Sequence, residues 1–317
     1  MARDAYFDSL KGLLIVSVVI GHVVAPLVGD NKAMIATEDW IYSFHMPLFV
    51  FVSGYFSTTS GIKVKHQVIR LLETYIVCQL ISIYYLYIIQ EPISILTFLN
   101  PYCLYWYLWC LILWKILLYF IGERFDNIKC LLIIVSITIG LLSGYFPFRA
   151  FAVNRFFSLM PFFLTGYYIK KKNLVSKLKI NEIVAVFFLI GYFFILIFIP
   201  YKLSDIFRFQ NGYDDELLTI TNRGLAIFVA SIISICVMSI THKSYIFNKV
   251  GKNTLYIYVY HWWIIRTLSE FRIWKSFEGN LIATMVLSVL VCALAYFLGE
   301  IYLFRWIMNP ITKKWRR

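Results

Sequence analysis

Apolar runs of about 15 to 25 residues recur along the whole of this 317-residue chain, separated by short polar segments. As a helix, a run of that length crosses the roughly 30 Å hydrocarbon layer of a membrane. The composition agrees, because 61% of the residues are hydrophobic and 15% are charged, against about 25% charged in a soluble domain. The runs therefore predict an all-α, polytopic integral membrane protein with the lipid bilayer as its first partner.

We place about ten transmembrane helices on these runs, of which the fifth and sixth are the shortest. They cover approximately residues 9–28, 40–57, 70–89, 102–121, 128–143, 155–170, 182–200, 218–241, 253–269 and 280–308. With the N-terminus inside, roughly 20 of the 30 Lys and Arg residues lie on the cytoplasmic side. Both termini are therefore predicted to be cytoplasmic. We find no internal repeat, so residues 1–317 are predicted to form a single membrane-embedded domain.

The formal net charge of +13 would suggest nucleic acid binding in a soluble protein, but here the basic residues lie in short loops between apolar runs. We therefore expect no nucleic acid partner. The six cysteines include no CxxC pair, and packing is their simplest role. The five histidines lack an acidic partner motif, so no metal is predicted.

The first span carries a histidine at membrane depth, His22, eleven residues after Lys11. Eleven residues advance a helix by about three turns and roughly 16 Å, so the two side chains share one face, and Asp8 falls near the same stripe. An ionisable residue at membrane depth is costly, which makes it a candidate functional residue. His22 could act as a general base or carry an acyl group, or it could bond a neighbouring helix. Lys11 could bind a phosphate.

The second span adds His45, at a depth comparable with His22, together with Pro47 and Ser53. A proline inside a span is tolerated where the helix lines a cavity or is supported by its neighbours. Three basic residues follow on the predicted cytoplasmic side: Lys63, Lys65 and Arg70. Singly, each is equally well explained by the positive-inside rule; together with Lys11 they could form a basic mouth for nucleotide phosphates.

Five residues at predicted spans are candidate contacts to an acceptor substrate: His45, Trp106, Tyr107, Arg155 and His261. Trp106 and Tyr107 are also typical of an aromatic belt at the outer interface. Arg155 either snorkels to that interface or faces a reaction chamber. His261 either bonds a neighbouring helix or joins the site. The longest outer segment, PYKLSDIFRFQNGYDDELL, is either a solvated loop or a surface for sugar contact.

Six stretches, in chain order, form a recognisable set: YFDSLKGLLIVSVVIGH, FHMPLFVFVSGYF, RLLETY, WYLWCLILW, RFFSLMPFFLTGYYIKKK and GKNTLYIYVYH. In them the sequence resembles the acyltransferase 3 family of integral membrane acyltransferases, in its fucose 4-O-acetylase-like or polysaccharide O-acetyltransferase branch. The resemblance extends over residues 6–261. A basic residue, ten intervening positions and a histidine are the most characteristic feature of that family, and Lys11 and His22 fit it.

The resemblance implies transfer of an acyl group, usually acetyl, from cytoplasmic acetyl-CoA to a carbohydrate hydroxyl in a bacterial plasma membrane. It implies that His22 is the essential histidine and that Lys11 is its basic partner. Asp8 is a third catalytic candidate, because it lies near the same stripe of the helix.

The same resemblance implies that Arg70 belongs to a cytoplasmic basic pair that contacts CoA. The sequence departs from the family here, because Gln67 stands where the family often has the other arginine. Lys63 or Lys65 is therefore expected to contact CoA together with Arg70. Ser53 is a further predicted contact to CoA.

We hypothesise a membrane O-acetyltransferase for a cell-surface or capsular polysaccharide or its lipid-linked precursor, with glycan-assembly proteins as partners. The main alternative is a transporter or flippase for a lipid-linked glycan, in which the buried histidines bind or relay protons. We find neither an inverted repeat nor paired broken helices to support it. A membrane sensor would leave the intramembrane charges unexplained. The oligomeric state stays open, with a homodimer as one arrangement.

Overall fold

The computed structural model describes residues 4–146, 150–213 and 216–308, apart from the side chains of residues 99, 272 and 273. Within these ranges every regular element is a helix, which confirms the all-α prediction. The α-helices are α1 Ala5–Val24, α2 Lys32–Tyr55, α3 Gly61–Ile88, α4 Ile95–Leu99, α5 Trp106–Ile121, α6 Lys129–Leu142, α7 Val153–Lys171, α8 Val175–Leu178, α9 Glu182–Phe198, α10 Ser204–Phe207, α11 Ile220–Ile240, α12 Tyr245–Lys252, α13 Thr254–Ser269, α14 Leu281–Glu300 and α15 Tyr302–Met308. Short 3₁₀ turns lie at Cys103–Tyr105, Asp126–Ile128, Ser143–Tyr145, Ala150–Ala152 and Arg272–Phe277.

Each predicted span overlaps at least one helix, but several boundaries differ from the prediction; α3, for example, begins at Gly61 rather than near residue 70. Helix α2 begins at Lys32 rather than near residue 40, because the side-chain oxygen of Asn31 accepts hydrogen bonds from the backbone N–H groups of Ala33 and Met34 (3.0 and 3.2 Å) and caps the helix. The tenth span is wrong as a single helix: Ile301 is extended (φ −70°, ψ 128°), so α14 ends before it and α15 begins after it.

Six stretches of the described chain are long and apolar enough to cross a membrane: Ala5–Val24, Gly61–Ile88, Cys103–Ile121, Asp126–Tyr145, Ile220–Ile240 and Leu281–Glu300. Helix α9 is apolar but shorter. These helices make the protein a multi-pass integral membrane protein. A total of ten spans and the cytoplasmic placement of the termini stay predictions.

Two of the apolar helices, α9 and α14, expose one hydrophobic stripe each. On α14 the stripe includes Ile282, Val286 and Val289, and on α9 it includes Phe187 and Phe194, all more than half exposed. Spacings of three, four and seven residues place side chains on one side of a helix. Exposed apolar stripes of this kind are the surfaces that lipid covers.

The described chain forms two compact units by its internal contacts. Of the described residues, the first unit contains 4–49, 174–208 and 225–301, and the second contains 50–146, 150–173, 209–213, 216–224 and 302–308. Each unit is assembled from separated segments, so neither corresponds to a continuous piece of sequence. The division of the chain falls inside α2 and inside α11.

In the first unit, α1 packs so closely on α12 that glycine is required on both helices. A Cβ on Gly12 would collide with the carbonyl oxygen of Phe247, and a Cβ on Gly251 would collide with the carbonyl oxygen of Asp8. The hydroxyl of Ser9 donates to the carbonyl oxygen of Ser244 (3.2 Å) beside this contact. Helix α1 is thereby held against α12 along its N-terminal half, and α1 also packs on α13 and α14.

In the second unit, α2 and α7 approach through a reciprocal glycine contact. A Cβ on Gly54 would collide with the carbonyl oxygen of Phe163, and a Cβ on Gly166 would collide with that of Phe51. The indole N–H of Trp114 on α5 donates to the carbonyl oxygen of Phe156 on α7 at 3.0 Å. The C-terminal turns of α2 are therefore fixed against α7, which in turn is fixed against α5.

We expect Gly12→Ala to destabilise the protein by about 1 to 3 kcal/mol, because the added methyl group meets backbone rather than a movable side chain. Gly191→Ala on α9 is the matched control, since a Cβ there meets nothing within 4 Å and alanine favours the helix. Thermal unfolding of the detergent-solubilised variants measures the difference. Equal midpoints for the two variants would contradict the close α1–α12 contact.

Candidate active site

His22 lies near the end of α1 in the first unit and is half-buried. Its Nδ1 atom is 3.4 Å from the hydroxyl oxygen of Tyr42 on α2. Its ring centre is 5.5 Å from that of His261 on α13, with the planes tilted by 31°. Trp262 contributes a third ring, 6.5 Å from His22 and edge-on to it. Three helices thus bring ionisable and aromatic side chains together around His22.

The two predicted histidines other than His22 both use Nδ1 to bond their own helix. Nδ1 of His45 is 2.7 Å from the carbonyl oxygen of Ile41, and Nδ1 of His261 is 2.8 Å from that of Ile257. A carbonyl oxygen only accepts, so Nδ1 carries the hydrogen in each ring and Nε2 of the neutral ring is an acceptor. Among the described residues, Nε2 of His261 is buried and has no hydrogen-bond partner. It is therefore an acceptor available for a ligand.

Tyr42 links the His22 neighbourhood to the charged face of α2. Its ring centre is 4.9 Å from that of His45, and the guanidinium of Arg208 lies 5.0 Å from the ring centre of Tyr42. Glu38 precedes Tyr42 by four residues, which places it on the same helix face. The prediction missed Glu38, Tyr42 and Arg208. Two adjacent carboxylates at residues 38 and 39, directly before the second predicted span, were the signal that could have found Glu38.

Glu38 is fully buried and bonds two cations from the segment that follows α9. Its carboxylate lies 2.7 Å from the ammonium of Lys202 and 3.0 Å from the guanidinium of Arg208. The neighbouring Asp39 accepts hydrogen bonds from the backbone N–H groups of Leu203 (3.0 Å) and Ser204 (2.6 Å). Residues 202–208 of the predicted outer loop are therefore ordered against α2, whereas residues 214 and 215 lie outside the described residues.

The charge of Arg208 is held by its surroundings. Burial lowers the pKa of its guanidinium, but Tyr42 and two nearby carboxylates outweigh burial and keep the pKa above its usual value. The fixed positive charge faces the Tyr42 ring, which a cation prefers. Tyr42 is consequently held between a guanidinium and the imidazole of His22.

Lys11 and Asp8 form an ion pair of 2.6 Å one turn apart on α1. Asp8 is buried, and the Lys11 side chain is 26% exposed. Helix α1 is unbroken from Ala5 to Val24, so Lys11 and His22 lie on one face, as the spacing predicts.

The other predicted residues lie in the second unit. The hydroxyls of Ser53 and Tyr107 are 2.6 Å apart. Ser53 is a predicted contact to CoA and Tyr107 is a predicted contact to the acceptor substrate, so the structure brings together residues predicted for two different ligands. The Arg155 guanidinium lies 4.4 Å from the Trp106 ring centre and donates to the side-chain oxygen of Gln210 at 2.7 Å. Trp106 and Tyr107 are both buried, unlike residues of an exposed interfacial belt.

The basic residues of α3 show a graded exposure. Lys63 and Lys65 are exposed, and Arg70 is half-buried. Lys63, Gln67 and Arg70 are four and three residues apart, so they share one face of α3. Gln67 accepts a hydrogen bond from Lys115 of α5 at 2.8 Å. The sequence analysis missed Lys115, although a lysine in the middle of an apolar span was a signal that could have found it.

Membrane-length helices and a histidine-centred site define a multi-pass membrane protein with the means for acid–base or acyl-transfer chemistry. Residues 4–300 match the profile of the acyltransferase 3 family, which is described as an acyltransferase domain. The chain belongs to this family, and residues 4–300 form a membrane acyltransferase domain. The predicted family and enzyme class are thereby confirmed.

A shorter segment is similar to two curated relatives. Each is named Nodulation protein NolL, one from Sinorhizobium fredii (strain NBRC 101917 / NGR234) and one from Mesorhizobium japonicum (strain LMG 29417 / CECT 9101 / MAFF 303099). Each is 42% identical to this chain over 59 residues, which is 18% of the chain and 16% of the relative. The chain therefore matches about a sixth of the length of these relatives. No solved structure matches the chain.

We expect Glu38→Gln to destabilise the protein by about 1 to 3 kcal/mol, because hydrogen bonds to charged groups are lost from a buried carboxylate. Trypsin should then cleave faster after Lys202 and Arg208, since both lose their anchor. Asp205→Asn is the matched control: Asp205 also pairs with Arg208, but its side chain is 52% exposed, and we expect a change within about 0.5 kcal/mol. Equal cleavage rates for both variants would argue against this anchor.

Proposed function

We propose that the protein is an O-acetyltransferase of the bacterial plasma membrane. It moves an acetyl group from acetyl-CoA to a hydroxyl of a cell-surface or capsular polysaccharide, or of its lipid-linked precursor. The observation that carries the proposal is the contact of His22 with Tyr42 and His261, in a chain that belongs to an acyltransferase family. Family membership also favours an enzyme over the transporter alternative.

The proposed role of His22 is general-base catalysis. When Nδ1 of His22 donates to the Tyr42 oxygen, Nε2 carries the lone pair of the neutral ring. Nε2 then takes the proton of the acceptor hydroxyl as its oxygen attacks the thioester carbonyl carbon. The C–S bond breaks as the tetrahedral intermediate collapses, and the departing thiolate of CoA takes the proton back from the imidazolium. An ester and a free thiol result, and His22 is restored.

Tyr42 is proposed as the residue that positions this imidazole. Its hydroxyl contacts Nδ1 of His22, and its ring is fixed by Arg208, which Glu38 holds in turn. A base whose other nitrogen is bonded keeps one tautomer and one orientation, as in other histidine-dependent acyl transfer sites. Lys11, paired with Asp8 on the same helix face, is the proposed basic partner.

The acceptor is proposed to bind through polar and aromatic side chains. In the first unit, the buried Nε2 acceptor of His261 suits a sugar hydroxyl, and His45 lies behind Tyr42. In the second unit, Trp106, Tyr107 and Arg155 offer a ring, a hydroxyl and a guanidinium. The phosphates of CoA are proposed to bind at Arg70 with Lys63 or Lys65, near Ser53 in the sequence. Glycan-assembly proteins and a second copy of the chain are proposed partners.

We expect His22→Ala to abolish transfer from labelled acetyl-CoA to a panel of glycans and lipid-linked precursors. Tyr42→Phe should lower kcat by about 10-fold, the cost of one hydrogen bond to the catalytic ring, with KM for acetyl-CoA unchanged. Purified protein in nanodiscs, assayed at saturating acceptor, provides the measurement.

His242→Ala is the matched control for this experiment, because the His242 side chain is 68% exposed and pairs only weakly with an exposed glutamate. It should leave the rate unchanged. Full transfer activity in His22→Ala, with the control equally active, would exclude His22 as the base.

A further inference from the structure

A buried lysine of the second unit, Lys115 on α5, has only neutral hydrogen-bond acceptors among the described residues. It is 8% exposed, and its ammonium donates to the hydroxyl oxygen of Ser57 at 2.9 Å and to the amide oxygen of Gln67 at 2.8 Å. A buried charge is costly unless an opposite charge accompanies it. Among the described residues, Lys115 has these two neutral acceptors and no carboxylate within ion-pair distance.

One further cation acts on Lys115 directly, and others lie beside that cation or beside Gln67. The charge of Lys170 on α7 is close enough to repel Lys115, and Lys63 repels Lys170 in the same way. On α3, Lys63 and Arg70 lie one turn to either side of Gln67. These four residues, here named the Lys115 cluster, are Lys63, Arg70, Lys115 and Lys170. Like charges near a buried lysine make its charge more costly.

The acidic residues of the adjoining connections have other partners. Glu123 accepts a hydrogen bond from the hydroxyl of Thr59. Asp126 pairs with Lys171 at 3.3 Å and, through its carbonyl oxygen, accepts from Lys129 at 3.4 Å. These carboxylates therefore leave Lys115 without a counterion, and an anion from outside the chain would supply one.

We propose that the Lys115 cluster binds the phosphate groups of the acyl donor and that Lys115 is their central ligand. This inference rests on the proposed function, because it assigns the charged part of acyl-CoA to these residues. Several ammonium and guanidinium groups suit a polyphosphate, which carries several negative charges. The amide of Gln67, with its oxygen bonded to Lys115, adds N–H donors to the same site.

A ligand role and a structural role for Lys115 predict opposite effects of Lys115→Met. Methionine keeps the length of the side chain and removes the charge. Replacing a buried charge that lacks a counterion with an apolar side chain should leave the ligand-free thermal stability unchanged or raised. The affinity for acetyl-CoA should fall by about 10- to 100-fold, as expected for loss of charge-assisted hydrogen bonds. A lysine kept for folding would instead lower stability and leave affinity unchanged.

The test measures binding of acetyl-CoA and of 3′-phospho-ADP, the phosphorylated part of CoA without its pantetheine arm, to the full-length protein in nanodiscs. Lys172→Met is the matched control, because Lys172 is an exposed lysine two residues from Lys170. We expect Lys115→Met to lose affinity for both probes and the control to bind both as the wild type does. Lys170→Met should show the same loss in part, and replaces Lys115→Met if that variant does not fold.

The outcomes separate this inference from the proposed function. Unchanged binding of both probes in Lys115→Met, with wild-type acetyl transfer intact, overturns the inference and leaves the proposed function standing. Binding of 3′-phospho-ADP that depends on Lys115, in a wild-type protein that transfers no acetyl group, supports the anion site and overturns the proposed function. Loss of affinity for acetyl-CoA alone, with 3′-phospho-ADP bound normally, would also overturn the inference, because the phosphates would then bind elsewhere.

Discussion

The cost of placing polar groups in an apolar layer is the constraint on which the rest of this structure depends. Backbone groups meet it by forming helices, which is why every regular element of the described chain is helical. Charged side chains reduce this cost by forming ion pairs. Asp8 has Lys11 one turn away, and buried Glu38 has Lys202 and Arg208. Lys115 is different, because its two partners are neutral.

Close helix contacts convert this constraint into a defined arrangement of residues. Gly12 and Gly251 let the backbones of α1 and α12 touch, which leaves α1 little freedom to slide or rotate. His22 is on the same helix, so its depth and direction within the first unit follow from that contact. The polar face of α2 then brings Tyr42 to His22. The side chains around His22 in the first unit are thus positioned by contacts between helix backbones.

The ordered segment after α9 gives this site a second support. The carboxylates of Glu38 and Asp39 hold Lys202, Leu203, Ser204 and Arg208, and the Arg208 guanidinium faces Tyr42. A segment that the sequence predicts to be a polar outer loop therefore contributes to the environment of His22. Loops of this kind carry function when a rigid scaffold fixes them.

The sequence by itself determined the helical class, the positions of the long helices and the family, since these depend on local properties: the length of apolar runs, the i and i+11 spacing of Lys11 and His22, and ordered stretches of sequence. It could not supply the partners of these residues, because such contacts join side chains far apart in the chain. Tyr42 lies 20 residues from His22, and Arg208 lies 170 residues from Glu38. At Gln67, where the family resemblance leads one to expect arginine, only the tertiary structure brings in a positive charge, from Lys115 on another helix. The sequence shows that a lysine lies within an apolar run, but it does not show which polar groups surround the ammonium. The free-energy cost of burying that charge depends on those groups, which only the tertiary structure identifies.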